Sequence, residues 1–153
     1  MHALMVRVRG ESFGIPTSDV IEVIRAVAVS PLPGAPTVIS GVINVRGDLV
    51  VVIDPAVRFG HQETPITPDD NFVLVKARER TVAIRVEAAD DLTTIDDGSL
   101  TAAKAASPTL EKLHGIATMS DGPLVIYDVA AFLTQAEEQA TSEALSVIPA
   151  QLK

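Results

Sequence analysis

An internal duplication constrains this sequence more than any other feature. When the chain is shifted by 74 residues, Gly41 falls on Gly115 and Asp54 falls on Asp128. Apolar residues around these matches fall on apolar residues: Val42, Val45, Val50, Val51, Val52, Ile53, Val57 and Phe59 fall on Ile116, Met119, Leu124, Val125, Ile126, Tyr127, Ala131 and Leu133. A repeat of this kind indicates that one supersecondary unit occurs twice in the fold.

The beginning of the chain repeats at a slightly shorter distance. With a shift of 69 residues, Leu4, Val6, Gly14 and Ile15 fall on Val73, Val75, Ala83 and Ile84. The offset grows by about five residues along the chain, which places the extra residues in the middle loop of the second half. Any two aliphatic β segments can align to some extent, but a matched glycine and a matched aspartate helix cap are not generic.

Each half is predicted to contain a hairpin, a strand, a loop, a second hairpin and a short helix. In the first half, alternating apolar residues predict a hairpin over residues 3–16 and a strand over residues 20–29. Three prolines within residues 31–36 predict a loop, because proline removes backbone donors and fixes φ. A second hairpin follows over residues 41–53, and Asp54 is a good N-cap for a short helix.

The second half is predicted to follow the same plan. Strands are expected to start at residue 72 and to return over residues 81–86, and residues 98–114 are expected to form a long loop. A hairpin over residues 115–127 leads to a helix from Asp128 to about Ala140. The last dozen residues are expected to fray.

The repeat predicts a mainly β fold of two similar five-stranded antiparallel barrels, related by an approximate twofold axis, with short helices and a C-terminal helix. Closing short strands into a barrel removes exposed sheet edges. We expect one domain over residues 1–140, in which subdomains of about 3–60 and about 70–135 flank a polar linker at 61–70. Residues 141–153 are expected to form a C-terminal tail.

Composition excludes several kinds of partner. The formal net charge is −8, and a field of that sign repels both nucleic acid phosphates and anionic lipid. There is no cysteine, so disulfides and thiolate chemistry are excluded, as is common in a reducing cytoplasm. No segment approaches the roughly 18 consecutive apolar residues of a membrane span, and the alternating N-terminus is unlike a signal peptide.

Residues suited to catalysis are sparse. The histidines His2, His61 and His114 fall at the terminus or in predicted loops, and the sequence has neither a nucleophile elbow nor a phosphate-binding glycine loop. The carboxylate pairs at residues 69–70, 90–91 and 96–97 lack the spacing of a calcium loop. We therefore predict no catalytic residue, no metal site and no cofactor, and a protein that acts by binding through its surface.

Five motifs, in this order, resemble the CheW family of chemotaxis coupling proteins. They are Phe13-Gly14-Ile15-Pro16, Val20-x-Glu22-Val23-Ile24, Leu32-Pro33-Gly34-Ala35-Pro36, Gly41-Val42-Ile43-Asn44-Val45-Arg46-Gly47 and Val51-Val52-Ile53-Asp54. The resemblance continues through Gly115-Ile116-Ala117 and Leu124-Val125-Ile126-Tyr127-Asp128 and covers about residues 3–135.

The resemblance implies a non-catalytic adaptor with two barrel subdomains that share a core. Such an adaptor binds the cytoplasmic tip of a chemoreceptor and the regulatory domain of a CheA-type histidine kinase, in the cytoplasm, where it is recruited to membrane receptor arrays. In that family the positions that match Glu22, Gly41, Asn44 and Arg46 lie on or near the receptor-facing groove. Val20 matches a position linked to partner coupling. No residues are assigned to the kinase contact.

Two questions stay open at this point. Arg46 is predicted to serve an interface, because a hairpin turn needs Gly47 for backbone freedom but does not need an arginine. Arg46 could instead lock its turn by pairing with Asp48 or another local carboxylate. The alternative function is a small-ligand-binding β-barrel without a signalling partner, and a hydrolase that uses paired carboxylates has little support.

Overall fold

The structure is a computed structural model that describes residues 1–96, 100–102, 113–119 and 122–148. Its strands are β1 (His2–Val8), β2 (Glu11–Pro16), β3 (Val20–Arg25), β4 (Ile39–Val45), β5 (Asp48–Ile53), β6 (Asn71–Ala77), β7 (Arg80–Val86), β8 (Ala88–Thr94), β9 (Leu100–Ala102), β10 (Leu113–Met119) and β11 (Gly122–Tyr127). Its helices are α1 (Pro55–Arg58), α2 (Gln135–Ser146) and two 3₁₀ helices, Thr17–Asp19 and Val129–Phe132.

The strands form a six-stranded and a five-stranded sheet, whose orders correspond over five strands and leave β9 without a counterpart. The first sheet runs β8-β1-β2-β11-β10-β9, and the second runs β3-β6-β7-β5-β4. In each sheet a hairpin from one half of the chain inserts beside strands from the other half. The parallel contact inside the second sheet aligns Val52 with Ala83, and the parallel contact inside the first aligns Ile126 with Gly14. The sequence shifts of 74 and 69 residues convert one pair into the other, so the duplication is present in the strand pairing.

This exchange corrects the prediction of two antiparallel barrels formed by separate halves. β1 and β2 lie in the sheet of the second half, whereas β6 and β7 lie in the sheet of the first half. Each sheet also contains a parallel pair, because the inserted hairpin meets the last hairpin of the other half in the same direction. Among the described residues neither ladder closes into a barrel.

Both sheets are buried on two faces at their centres. Alternate residues of β6 point to opposite sides, so that Val73 and Val75 join a central core between the sheets while Phe72 and Leu74 enter a second core inside the second sheet. Ala3, Ile126 and their neighbours form a third core inside the first sheet. Side chains therefore fill the space inside each curved sheet.

An aromatic cluster lies in the central core, where the two halves meet. It contains Phe13, Phe59, Tyr127 and Phe132, which leaves Phe72 as the one aromatic residue elsewhere. Phe13 on β2 packs edge-on against Tyr127 at the end of β11, with ring centroids 4.9 Å apart. Phe59 follows α1, and Phe132 belongs to the second 3₁₀ helix, so both repeated helical elements rest on this cluster.

Several predicted boundaries are wrong for identifiable reasons. β3 ends at Arg25 rather than at residue 29, because the chain then crosses to β4, where Ser30 and Val42 exchange two backbone hydrogen bonds. The repeat predicted a strand in the second half that corresponds to β3, and β8 is that strand, but no bounds were predicted for it, since its Ala-Ala-Asp-Asp-Leu-Thr-Thr sequence has one large apolar residue. β9 lies within the predicted loop over residues 98–114, of which 98–99 and 103–112 lie outside the described residues.

The C-terminal helix is also longer and later than predicted. Asp128 caps the 3₁₀ helix Val129–Phe132, and the chain then becomes extended at Leu133. Thr134 starts α2 through a capping box with Glu137, in which each residue accepts a hydrogen bond from the other's backbone N–H. Residues 141–146, assigned above to a tail, are helical, and Thr141 and Ala144 are buried.

Both predicted aspartate caps are confirmed, but their surroundings differ. Asp54 accepts from the N–H of Ala56 at 3.0 Å, and Asp128 accepts from the N–H of Ala130 at 3.0 Å. Asp128 is exposed, whereas Asp54 is buried and also lies 3.4 Å from the Arg85 guanidinium.

Arg85 fastens the predicted linker to the second sheet. Its guanidinium donates to Asp70 at 3.1 Å, to the Thr64 carbonyl at 2.7 Å and to the Pro65 carbonyl at 2.9 Å. Arg9 adds a bond of 2.6 Å to the carbonyl of Gln62. Arginine side chains therefore hold residues 61–70, called the strap below, against the sheets by hydrogen bonds to the carbonyl groups of Gln62, Thr64 and Pro65.

We expect the two caps to differ in their contribution to stability. Asp128→Ala should cost about 1 kcal/mol, the usual value of an exposed cap. Asp54→Ala should cost about 3 kcal/mol, because it removes a cap and also deprives the largely buried Arg85 guanidinium of one carboxylate. Urea unfolding of the two variants beside the parent protein measures both values. Equal losses would show that Arg85 does not depend on Asp54.

Candidate partner-binding groove

Two predicted site residues that are far apart in the sequence meet where the two edges of the second sheet approach each other. Glu22 lies on β3, and Arg46 lies in the turn between β4 and β5. The Arg46 guanidinium donates to the Glu22 carboxylate, and the side chains are 66% and 33% exposed. Because β3 and β4 are the two edges of this sheet, the ion pair shows that the sheet curls until its edges approach each other.

The turn that carries Arg46 has an unusual backbone. Arg46 has a φ of +50° and Gly47 a φ of +90°, as in a type I′ hairpin, where both central residues need positive φ. Asn44 stabilises the turn, because its side-chain oxygen accepts from the N–H of Gly47 at 2.8 Å. A non-glycine residue in this region costs about 1–2 kcal/mol, so the arginine is kept at a position where glycine would be easier to accommodate.

The other two predicted site residues shape the surroundings. Val20 begins β3 opposite Val75, is half-buried and packs against the central core. Gly41 is buried at the opposite end of β4, where a Cβ atom would lie 2.2 Å from the carbonyl oxygen of Ser30. Glu22, Asn44 and Arg46 therefore form one cluster beside Val20, whereas Gly41 lies apart and allows the crossing segment to approach.

The Glu22–Arg46 pair lines an open groove of about 1050 Å³. Its apolar lining comes from Ile21, Val45, Leu49, Val50 and Leu74. Its charged lining comes from Glu22, Arg46, Asp48, Arg78, Glu79, Arg80 and Glu138. Ile21 is 52% exposed, so an apolar side chain stands at the rim without cover from this chain.

Sequence reasoning missed the contributions of β6, β7 and α2 to this groove. Arg78 lies in the β6–β7 turn with a φ of +59°, in the position that matches Arg9 of the first hairpin. Arg80 begins β7, and Glu138 and Ser142 come from α2. The Thr134 and Glu137 spacing was the available signal for α2, but no pattern shows that this helix packs beside the β6–β7 turn.

Two acid groups have shifted pKa values. Burial by itself would raise the pKa of Glu137, but hydrogen bonds from Arg58 and from the Thr134 backbone outweigh it and hold that pKa below its usual value. Burial, followed by the charge of Glu11, raises the pKa of the Tyr127 phenol, which stays neutral at physiological pH.

The remaining candidate groups do not assemble into a site within the described residues. No group of three or more metal-ligating side chains occurs there. Asp70 belongs to the Arg85 network, His61 is exposed and His2 lies against Thr94. Asp97 and the side chains of Asp90 and His114 are outside the described part of the chain. No described helix has the length and apolar character needed to cross a membrane.

Comparison with known proteins assigns the chain. The family model of the CheW-like domain matches residues 2–137. The chain belongs to the CheW-like domain family. This confirms the resemblance drawn from the motifs, and it makes the chain a chemotaxis scaffold of the adaptor type, which is non-catalytic.

Individual CheW proteins match over most of their length. A probable chemotaxis protein CheW from Rhizobium etli is 24% identical over 136 residues, which is 88% of each protein. The chemotaxis protein CheW from Klebsiella aerogenes is 26% identical over 136 residues, covering 88% of this chain and 82% of the relative. The crystal structure of the scaffolding protein TtCheW from Thermoanaerobacter tengcongensis superposes with a TM-score of 0.77 at 25% identity and covers 89% of each chain.

The positive φ of Arg46 predicts that the glycine variant is more stable than the alanine variant, which is the reverse of the usual order for these two residues. Arg46→Ala removes an exposed ion pair worth about 0–1 kcal/mol but keeps a Cβ at positive φ. Arg46→Gly removes the same ion pair and also relieves the strain, so it should be more stable than Arg46→Ala by about 1 kcal/mol. Urea denaturation midpoints of both variants test the order. A glycine variant less stable than the alanine variant would contradict it.

The lowered pKa of Glu137 predicts a pH-dependent contribution to stability. The contribution is fully present above the ordinary glutamate pKa of the unfolded chain and is lost as the pH falls through the lower pKa of the folded chain. Glu137→Gln should therefore be less stable than the parent at neutral pH, with a difference that shrinks between about pH 5 and about pH 3. Glu143→Gln, at an exposed position of the same helix, should show no such difference in urea titrations.

Proposed function

We propose that this chain couples a chemoreceptor to a CheA-type histidine kinase, and that the groove beside the Glu22–Arg46 pair faces the receptor. The observation that carries the proposal is the meeting of two of the predicted receptor-facing residues, Glu22 and Arg46, at one apolar-lined groove, with Asn44 holding the turn that carries Arg46. Apolar centres with arginine at the rim are common in protein interfaces.

The strained turn supports the same assignment. Arg46 occupies a positive-φ position although its ion pair with Glu22 is exposed and contributes little to the free energy of folding. Backbone strain is often found at binding sites. Arg9 has the same conformation away from the groove, so the assignment of Arg46 depends on its place in the groove wall. We infer that Arg46 and Glu22 present a preorganised pair to the receptor, while Val20 and Gly41 act by setting the shape of β3 and β4.

The proposed partners are the cytoplasmic tip of a chemoreceptor and the regulatory domain of the kinase. The location that follows is the cytoplasm, with recruitment to membrane receptor arrays. Family membership and the scaffolding relative of similar structure support these partners. The alternative of a small-ligand-binding barrel lacks support, because the interiors of both sheets are filled by Val, Ile, Leu, Phe and Ala side chains.

Binding measurements with purified partners test the proposal. Arg46→Ala should weaken binding of a receptor cytoplasmic fragment by about 2 kcal/mol, roughly 30-fold, because an arginine that contacts the receptor is lost from the interface. Binding of the kinase regulatory domain to the same variant should persist, since a coupling protein must hold its two partners on separate surfaces. Isothermal titration calorimetry measures both affinities.

Arg9→Ala is the matched control for this experiment. Arg9 has a φ of +51° in an equivalent arginine-glycine turn, but it contacts the strap residues Gln62 and Thr64 rather than the groove. It should leave the receptor affinity unchanged. An Arg46→Ala protein that binds receptor as well as the parent would refute the assignment of this groove.

A further inference from the structure

Arg80 connects the groove to the C-terminal helix. It begins β7, and its side chain is 25% exposed in the wall of the groove. Its Nε donates to the Glu138 carboxylate at 3.1 Å, and its Nη2 donates to the Ser142 hydroxyl at 2.6 Å. Glu138 and Ser142 are one helical turn apart and therefore lie on one face of α2. The described polar contacts of the Arg80 side chain thus both come from α2.

The attachment of α2 relies on small side chains and ion pairs. Its buried residues are Thr141 and Ala144, and Leu145 is partly buried against the central core. Near its N-terminus Glu137 pairs with Arg58. Isolated helices shorter than about 12–15 residues are marginal in water, so α2 depends on these contacts. Elements held in this way open locally without unfolding of the whole domain.

Release of α2 would change which side chains of the groove are available to a partner. Glu138 and Ser142 would leave the wall, whereas Arg80 would stay on β7 beside the turn that carries Arg78. Arg46 would keep its own carboxylate, because Glu22 lies on β3. The guanidinium of Arg80 would then be available for a carboxylate from another protein, and such pairs are strong when both oxygens accept hydrogen bonds.

We propose that Arg80 binds a carboxylate of the receptor. In the free protein α2 masks this arginine, because the Glu138 carboxylate occupies the place of the receptor carboxylate. The inference rests on the proposed function, in which the receptor tip occupies the groove. Only those molecules in which α2 has released Arg80 then bind the receptor. The observed association constant is the intrinsic constant multiplied by the fraction of such molecules. α2 is accordingly an autoinhibitory element whose attachment weakens with added salt, because it depends on ion pairs that are only partly buried.

The double variant Glu138→Gln with Ser142→Ala tests the proposal, because it removes both contacts to Arg80 and leaves β3, β4 and the β4–β5 turn unchanged. We expect it to bind the receptor fragment about 5- to 10-fold more tightly than the parent. Hydrogen exchange of residues 135–146 should become faster in this variant without receptor. Glu143→Gln, at an exposed position of α2, is the matched control and should change neither quantity.

Arg80→Ala completes the test. It should weaken receptor binding at least 10-fold, and adding the α2 substitutions to it should give no further gain, because the masked residue is gone. Faster exchange of α2 with unchanged receptor affinity would overturn the masking role, as would an Arg80→Ala protein that binds like the parent. If the parent and every variant fail to bind receptor while the kinase domain still binds, the proposed receptor-binding function itself is wrong, and not only the masking by α2.

Discussion

The parallel contact between each inserted hairpin and the last hairpin of the other half holds this fold together. At one contact Gly14 faces Ile126, and at the other Ala83 faces Val52. The first position needs a residue without a Cβ, because a Cβ atom on Gly14 would lie 2.6 Å from the Ile126 side chain. Because each half supplies a hairpin that the other half requires, neither sheet is complete without the whole chain. The aromatic cluster then forms where β2 and β11 meet, and the capped helical elements pack on it.

The groove is a consequence of the same arrangement. Insertion of β6 and β7 separates β3 from β5, which leaves β3 and β4 as the edges of the second sheet. The twist of the sheet brings these edges together, and the remaining gap is bridged by the Ser30–Val42 hydrogen bonds at one end and by Glu22 and Arg46 at the other. The β6–β7 turn lies beside this second end, which is why Arg78 and Arg80 line the same groove.

The local parts of this structure could be predicted from sequence, because they depend on neighbours along the chain. Alternation located the hairpins, the matched aspartates located both helix caps, and the repeat implied two equivalent sheets. The choice of strand partners could not be predicted, since period-two alternation places a residue on a face without saying which strand lies beside it. Arg46 illustrates this limit: its turn was evident, but its partner is Glu22 on a strand that no local pattern connects to it. The predicted start of α2 was wrong for another reason. The cap at Asp128 starts a 3₁₀ helix, and the capping box at Thr134 then starts α2.

In a duplicated fold each structural feature has two equivalent positions, one in each half. A residue type that occurs at only one of them is not required by the fold, which points to a functional role. The position that matches Arg85 in the first hairpin is Pro16, so the exposed cap at Asp128 has no counterpart of the buried arginine beside Asp54. The positions that match Glu22 and Arg46 are Asp91 and Ser120, so the second half retains an acid but has serine where the first half has the arginine. A fold that needed an arginine at this turn would need it in both halves. Its presence in one half, at a strained position and beside exposed Ile21, is the pattern expected when a partner rather than the fold selects the residue.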